Sequence, residues 1–128
     1  MEKKKEIIEE QIKQALTSTY KVISNQLIDD SKNKNFNFKS LDFSEIKDLK
    51  GKDDYIKLRA NIDSKALKLR FSDNKIFIKN HPRNPGLKKI YELSEKVRYE
   101  ILGSKMLNGI KKNLEDNYYQ KINNIKLN

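Results

Sequence analysis

Residues 95–114 read EKVRYEILGSKMLNGIKKNL, a stretch helical in character that nevertheless carries Gly103 and Gly109. A glycine inside a helix costs about 1 kcal/mol relative to alanine, so two within two turns need a physical reason. Apolar residues flank them at spacings of three and four. Ile90, Leu93, Val97 and Ile101 form one stripe, and Leu107, Ile110, Leu114 and Tyr118 form a second. Gly103 and Ser104 fill the gap between the stripes. Small residues where a buried stripe should continue let another backbone approach closely. Gly109 is grouped with them as a close-packing candidate, although it lies off the strict stripe, where a bend or an external contact also fits.

The helix containing this stretch is predicted to run from about Pro85 to about Ile125. It follows HPRNPG, residues 81–86, a break because proline cannot extend a helix and disfavours helical geometry before it. A second long helix is predicted to begin near Asp53 and Asp54, which suit its positive N-terminal end, with a stripe of Tyr55, Leu58, Ile62, Ala66 and Leu69. It either continues through DNKIFIKN or gives way there to a strand-like stretch around Ile76 and Ile78. The first helix is predicted from about Lys3 to about Asp29 on the recurrence of Ile7, Ile8, Ile12, Ala15, Leu16, Tyr20, Ile23 and Leu27. Between it and a short turn opened by Ser44, Phe36, Phe38, Leu41 and Phe43 fit a short extended or loop segment, about 34–44, packed on the helices. The expected architecture is therefore all-α, a small bundle of three principal long helices in one domain spanning 1–128. The second and third helices should pack antiparallel, with Gly103 and Ser104 at their close approach.

Composition narrows the function classes. Of 128 residues, 36% are hydrophobic and 36% charged, and the mean hydropathy is −0.89, so the core should be a thin seam between helices. No apolar run approaches the roughly 18–20 residues that span a bilayer, and the N-terminus lacks the apolar block of a secretory signal. Cysteine is absent, which removes disulfides and thiolate chemistry. These features make a cytoplasmic location the expectation. The net charge of +10 invites a nucleic-acid reading. However, Arg59, Arg70, Arg83 and Arg98 are the only arginines among 28 basic residues, and the lysines are scattered. Phosphate sites favour clustered arginine with interleaved aromatics, so nucleic acid is not the expected partner.

Chemistry-bearing residues are few. The single histidine, His81, precedes a proline in a turn, and no glycine-rich phosphate loop, nucleophile elbow or spaced ligand set occurs. No catalytic residue, metal ligand or bound cofactor is expected in this chain. The notable polar residues are Arg59, Asp63, Arg70, Asp73, Arg98 and Glu100. Arg59 with Asp63, and Glu95 with Arg98, stand at helical pairing distance. In a chain so dominated by lysine, Arg59, Arg70 and Arg98 fit bidentate carboxylate contacts. Arg59, Asp63, Arg70, Arg98 and Glu100 are predicted to form one polar cluster that organises helix packing or a partner surface.

Two blocks of these residues resemble the N-terminal region of the CobT subunit of aerobic, ATP-dependent cobaltochelatase. In LRANIDSKALKLRFSD, residues 58–73, the matching positions are Leu58, Arg59, Asp63, Ala66, Leu67, Leu69, Arg70 and Asp73. In residues 91–114 they are Leu93, Arg98, Glu100, Leu102, Gly103, Gly109, Asn113 and Leu114. Arg-x-Glu-x-x-Gly followed by Gly-x-x-x-Asn-Leu is not a product of helical periodicity. The chain departs from the family at Ser72, where histidine is usual, and at Ala60, where glycine is. The resemblance implies a non-catalytic scaffold or docking module of the machine that inserts cobalt into a corrin ring. There, a CobS-like AAA+ ATPase handles ATP and magnesium, and a CobN-like large subunit binds the tetrapyrrole. Full family members continue through an acidic linker into a von Willebrand factor A-type domain, which 1–128 does not include. A freestanding helical adaptor for another AAA+ ATPase and a small basic nucleic-acid-binding protein are the rival readings.

Overall fold

The computed structural model describes residues 1–24, 44–47 and 49–126. Every element among them is an α-helix. They are α1 (Glu2–Ser24), α2 (Ser44–Lys47), α3 (Lys52–Phe71), α4 (Asn74–Lys79), α5 (Pro85–Met106) and α6 (Asn108–Lys126). The expected segment at about 34–44 lies outside the described residues up to 43, and Ser44 opens α2. No helix among the described residues is long and apolar enough to cross a membrane.

At the centre lies α3, which packs against α1, α5 and α6. A single apolar stripe was expected on it, but Leu58, Ala60, Ile62, Asp63, Ser64, Ala66 and Leu67 are all buried. Those residues point around the helix. That is the pattern of a helix surrounded on several sides. Its termini are settled locally: Asp53 and Asp54 sit in the first turn, the backbone N–H of Lys50 donates to Asp54 Oδ2 at 3.0 Å, and Lys68 and Arg70 occupy the last turn.

The architecture departs from three long helices in two places. First, α3 does not continue through DNKIFIKN, nor does that stretch become a strand. Ser72 is extended (φ −101°, ψ 134°), and a separate short helix α4 starts behind it. Asp73 caps α4, accepting from the backbone N–H groups of Lys75 and Ile76 at 2.9 and 3.2 Å. Second, the predicted third helix is two. Leu107 is extended (φ −140°, ψ 125°) and separates α5 from α6 just before Asn108 and Gly109, both poor helix formers. The start of α5 agrees with the break read at HPRNPG. Asn84 caps it, accepting from Gly86 and Leu87, and Pro85 takes the first position, where a missing N–H is harmless.

The core joins Leu16, Tyr20 and Ile23 of α1, Ile46 of α2, the buried apolar residues of α3, Tyr99 of α5, and Ile110 and Leu114 of α6. The N-terminal half of α1 leaves this core, with Ile7 and Ile8 exposed. A larger correction concerns α5. Its predicted inward stripe of Ile90, Leu93, Val97 and Ile101 is exposed, while Tyr99, Glu100 and Gly103 face inward. In α6, Ile110 and Leu114 are buried as expected, whereas Tyr118, and Leu107 at the break before the helix, are exposed.

Candidate functional site

Gly103 is buried where α5 meets α3. A Cβ built there would lie 2.9 Å from Leu67 Cγ and closer still to both δ methyls. Leu67 is fully buried, so its side chain has little room to withdraw. Ser72 meets Glu95, Phe71 meets Arg98 and Leu67 meets Gly103, so over this stretch the two helices run in the antiparallel sense expected. Ser104 is half-buried beside Gly103. Gly109 differs: it is exposed, and nothing lies within 4 Å of the position its Cβ would take. The close approach expected at Gly109 is not made, because the chain has already broken at Leu107 and turned into α6.

The predicted single polar cluster is divided into separate groups. In the first, Asp63 is fully buried in α3, and Asn113 of α6 donates to its Oδ2 at 2.8 Å. Arg59 Nε stands 3.5 Å from Asp63 Oδ1, and its Nη1 donates to Thr19 Oγ1 of α1 at 3.3 Å. Among the described residues Asp63 Oδ1 has no hydrogen-bond partner, since the Arg59 contact is an ion pair at long range. Burial pushes the Asp63 carboxyl above its ordinary 3.8, opposed by the Asn113 hydrogen bond and the Arg59 charge.

In the second group, Glu100 accepts from Ser64 Oγ of α3 at 2.7 Å and from the Tyr118 hydroxyl of α6 at 2.6 Å, with Lys96 Nζ at 3.9 Å. One carboxylate thus ties α5 to both neighbours. Burial, then the hydrogen bond to Glu100, pushes the Tyr118 phenol well up.

The third group closes the end of α3. Arg98 Nη2 donates to the Phe71 carbonyl at 2.6 Å, one of the acceptors a helix C-terminus leaves without a partner. Glu95 accepts from Arg98 Nε at 3.0 Å and from its Nη2 at 2.6 Å, and also from the Ser72 hydroxyl. The Arg98 hydrogen bonds hold the Glu95 carboxyl below its usual range. Arg98 lines a cleft of about 260 Å3 with the helix-capping Asp73. Arg70 stands apart from all three groups; its Nη1 reaches the Ile23 carbonyl of α1 at 3.4 Å, and its guanidinium lies 5.5 Å from the Phe71 ring.

Sequence reasoning missed Thr19, Ser64 and Tyr118 as polar partners, and gave Asn113 no role. A serine beside Asp63 in the middle of an apolar helix was the available signal for Ser64. Tyr118 was read only as part of an apolar stripe. Among the described residues no three His, Cys, Asp or Glu side chains converge as a metal site. His81 joins an aromatic contact with Phe77 and Tyr91, its Nε2 3.1 Å from Glu92 Oε1.

One surface groove collects what the packing leaves over. It has a volume of about 410 Å3 and is lined by Thr19, Val22 and Ile23 of α1, Arg59 of α3, and Leu107, Gly109 and Ile110 at the α5–α6 break. Its walls are mostly apolar, with one guanidinium.

Fold and site together define a helical bundle whose arginines, carboxylates and small residues mainly lock helices to one another. The family model described as cobalamin biosynthesis protein CobT matches residues 6–128. The chain belongs to the CobT family, and the match covers both sequence blocks. No curated protein and no solved structure matches it.

Proposed function

We propose that this chain is the non-catalytic docking module of an ATP-dependent cobaltochelatase and uses the groove at the α5–α6 break to hold a CobS-like AAA+ ATPase. In this reading the ATPase handles ATP and magnesium, a CobN-like subunit holds the tetrapyrrole, and cobalt is substrate of the assembly.

The observation that carries the proposal is the position of Gly109. Most family-matching residues have a packing role. Asp63 meets Asn113, Glu100 meets Ser64, Gly103 meets Leu67 and Arg98 meets the end of α3. Gly109 has open space around it and lies on the groove with Arg59. A glycine the fold does not require, beside a partly exposed guanidinium and the apolar Val22 and Leu107, suits a partner segment that lies close to the backbone and carries a carboxylate.

Co-purification with the CobS-like ATPase tests this. The wild-type chain is expected to co-elute with it, and Gly109→Leu to lose at least tenfold in affinity while keeping wild-type helicity and an unfolding midpoint no lower than wild type. Retention by Gly109→Leu of full affinity would remove the groove from the account. Failure of the wild-type chain to bind any such ATPase would remove the docking role.

A further inference from the structure

We infer that the outer face of α5 is a self-complementary seam, on which a second copy of this chain packs as an antiparallel helix pair. Leu87, Ile90, Ser94, Val97, Ile101 and Ser104 follow one another at spacings of three and four, the period of a coiled-coil seam. All but the half-buried Ser104 are exposed, away from the inward Tyr99, Glu100 and Gly103. Leu87, Ile90, Val97 and Ile101 are 55%, 64%, 44% and 49% exposed, so the helix turns its apolar stripe to solvent and its carboxylate inward. That is the reverse of a surface helix with no partner.

The occupant follows from the symmetry of the pattern. The six seam positions are centred between Glu95 and Lys96, which is also the midpoint of Pro85–Met106. A two-fold axis there overlaps the whole helix with its copy. It places Ile90 opposite Ile101 of the second copy, Val97 opposite Ser94, and Leu87 opposite Ser104. Leu87 and Val97 thus meet serines, while the two isoleucines meet each other; alternation of large and small is how facing helices interdigitate. With Leu93, the exposed apolar area is on the order of 500 Å2, at the upper end for a monomer's largest patch. Two such faces with their rims reach about 1,200 Å2, the lower bound of specific interfaces. No charged residue stands on the seam, so nothing there selects an acidic or basic partner.

Sedimentation equilibrium of the full chain across about 5–200 µM tests this. The expected result is a monomer–dimer equilibrium that tightens with added salt, because each copy carries +10 and the repulsion is screened. Val97→Lys should weaken association at least tenfold without changing helicity. The chain lacks cysteine, so Ser94→Cys chains mixed with Val97→Cys chains should form a mixed disulfide faster than Ser94→Cys chains pair with themselves. A monomer at every concentration and salt, a dimer indifferent to Val97→Lys, or preferential Ser94→Cys self-pairing would each overturn the seam. None of these outcomes depends on the Gly109 groove.

Discussion

Asp63 places a carboxyl in the most enclosed part of the molecule, with one oxygen satisfied by Asn113 and the other facing Arg59 at 3.5 Å. Its carboxyl is raised above 3.8, so protonation is easier in the folded chain than in the unfolded one. The stability linked to this group is fully present below 3.8 and is lost as pH rises through the folded value. Asp63→Asn keeps an acceptor for Asn113 and removes the titrating carboxyl. It is expected to flatten this fall and, at neutral pH, to be at least as stable as wild type. Asp63→Ala strands the Asn113 amide and should cost about 1–3 kcal/mol. Urea unfolding from pH 4 to 8 compares the three. At Gly109 the expectation has the opposite sign to a buried glycine: Gly109→Ala meets no neighbour and should stabilise α6 by up to about 1 kcal/mol.

Among the elements, the end of α3 is held by Arg98 rather than by a glycine cap. Arg98→Ala frees the Phe71 carbonyl and the Ser72–Glu95 pair. The Arg98 side chain is 46% exposed, so the global cost should be small, about 0.5–1 kcal/mol, and faster amide exchange at residues 71–74 should report it more clearly. The pH dependence here is opposite in sign to that of Asp63. Glu95 is held below its ordinary 4.5, so its contribution is present above 4.5 and lost as pH falls through the lowered value. The elements were unevenly legible in the sequence. The prolines of HPRNPG announced the start of α5 because proline chemistry is local, whereas the Asn84 cap emerged only from the fold. The break at Leu107 was not anticipated as a helix end, since the apolar spacing runs through it and only Gly109 hinted at a bend. The outward stripe of α5 was read as core because periodicity reveals an apolar face without saying what covers it.

At the scale of the whole molecule, the two family blocks are one interface. Residues 58–71 of the first block lie in α3, with Ser72 and Asp73 just beyond its end, and residues 91–114 wrap it through Arg98, Glu100, Gly103 and Asn113. The residues of the candidate site were legible as a set, because scarce arginine and a glycine within a helix stand out in a lysine-rich chain. Their division into separate groups was not legible, since partners such as Thr19 and Ser64 come from positions with no pattern of their own. The contact between Gly103 and Leu67 is where this account is most exposed. Its direct test is a double-mutant cycle in denaturant unfolding. Gly103→Ala should cost about 1–3 kcal/mol in the wild-type background. In the Leu67→Ala background, where the new methyl has space, it should cost nothing or stabilise, giving a coupling of at least about 1 kcal/mol. Additive effects, agreeing within about 0.5 kcal/mol, would show that α3 and α5 do not meet at these two residues and would contradict the packing on which the rest is built.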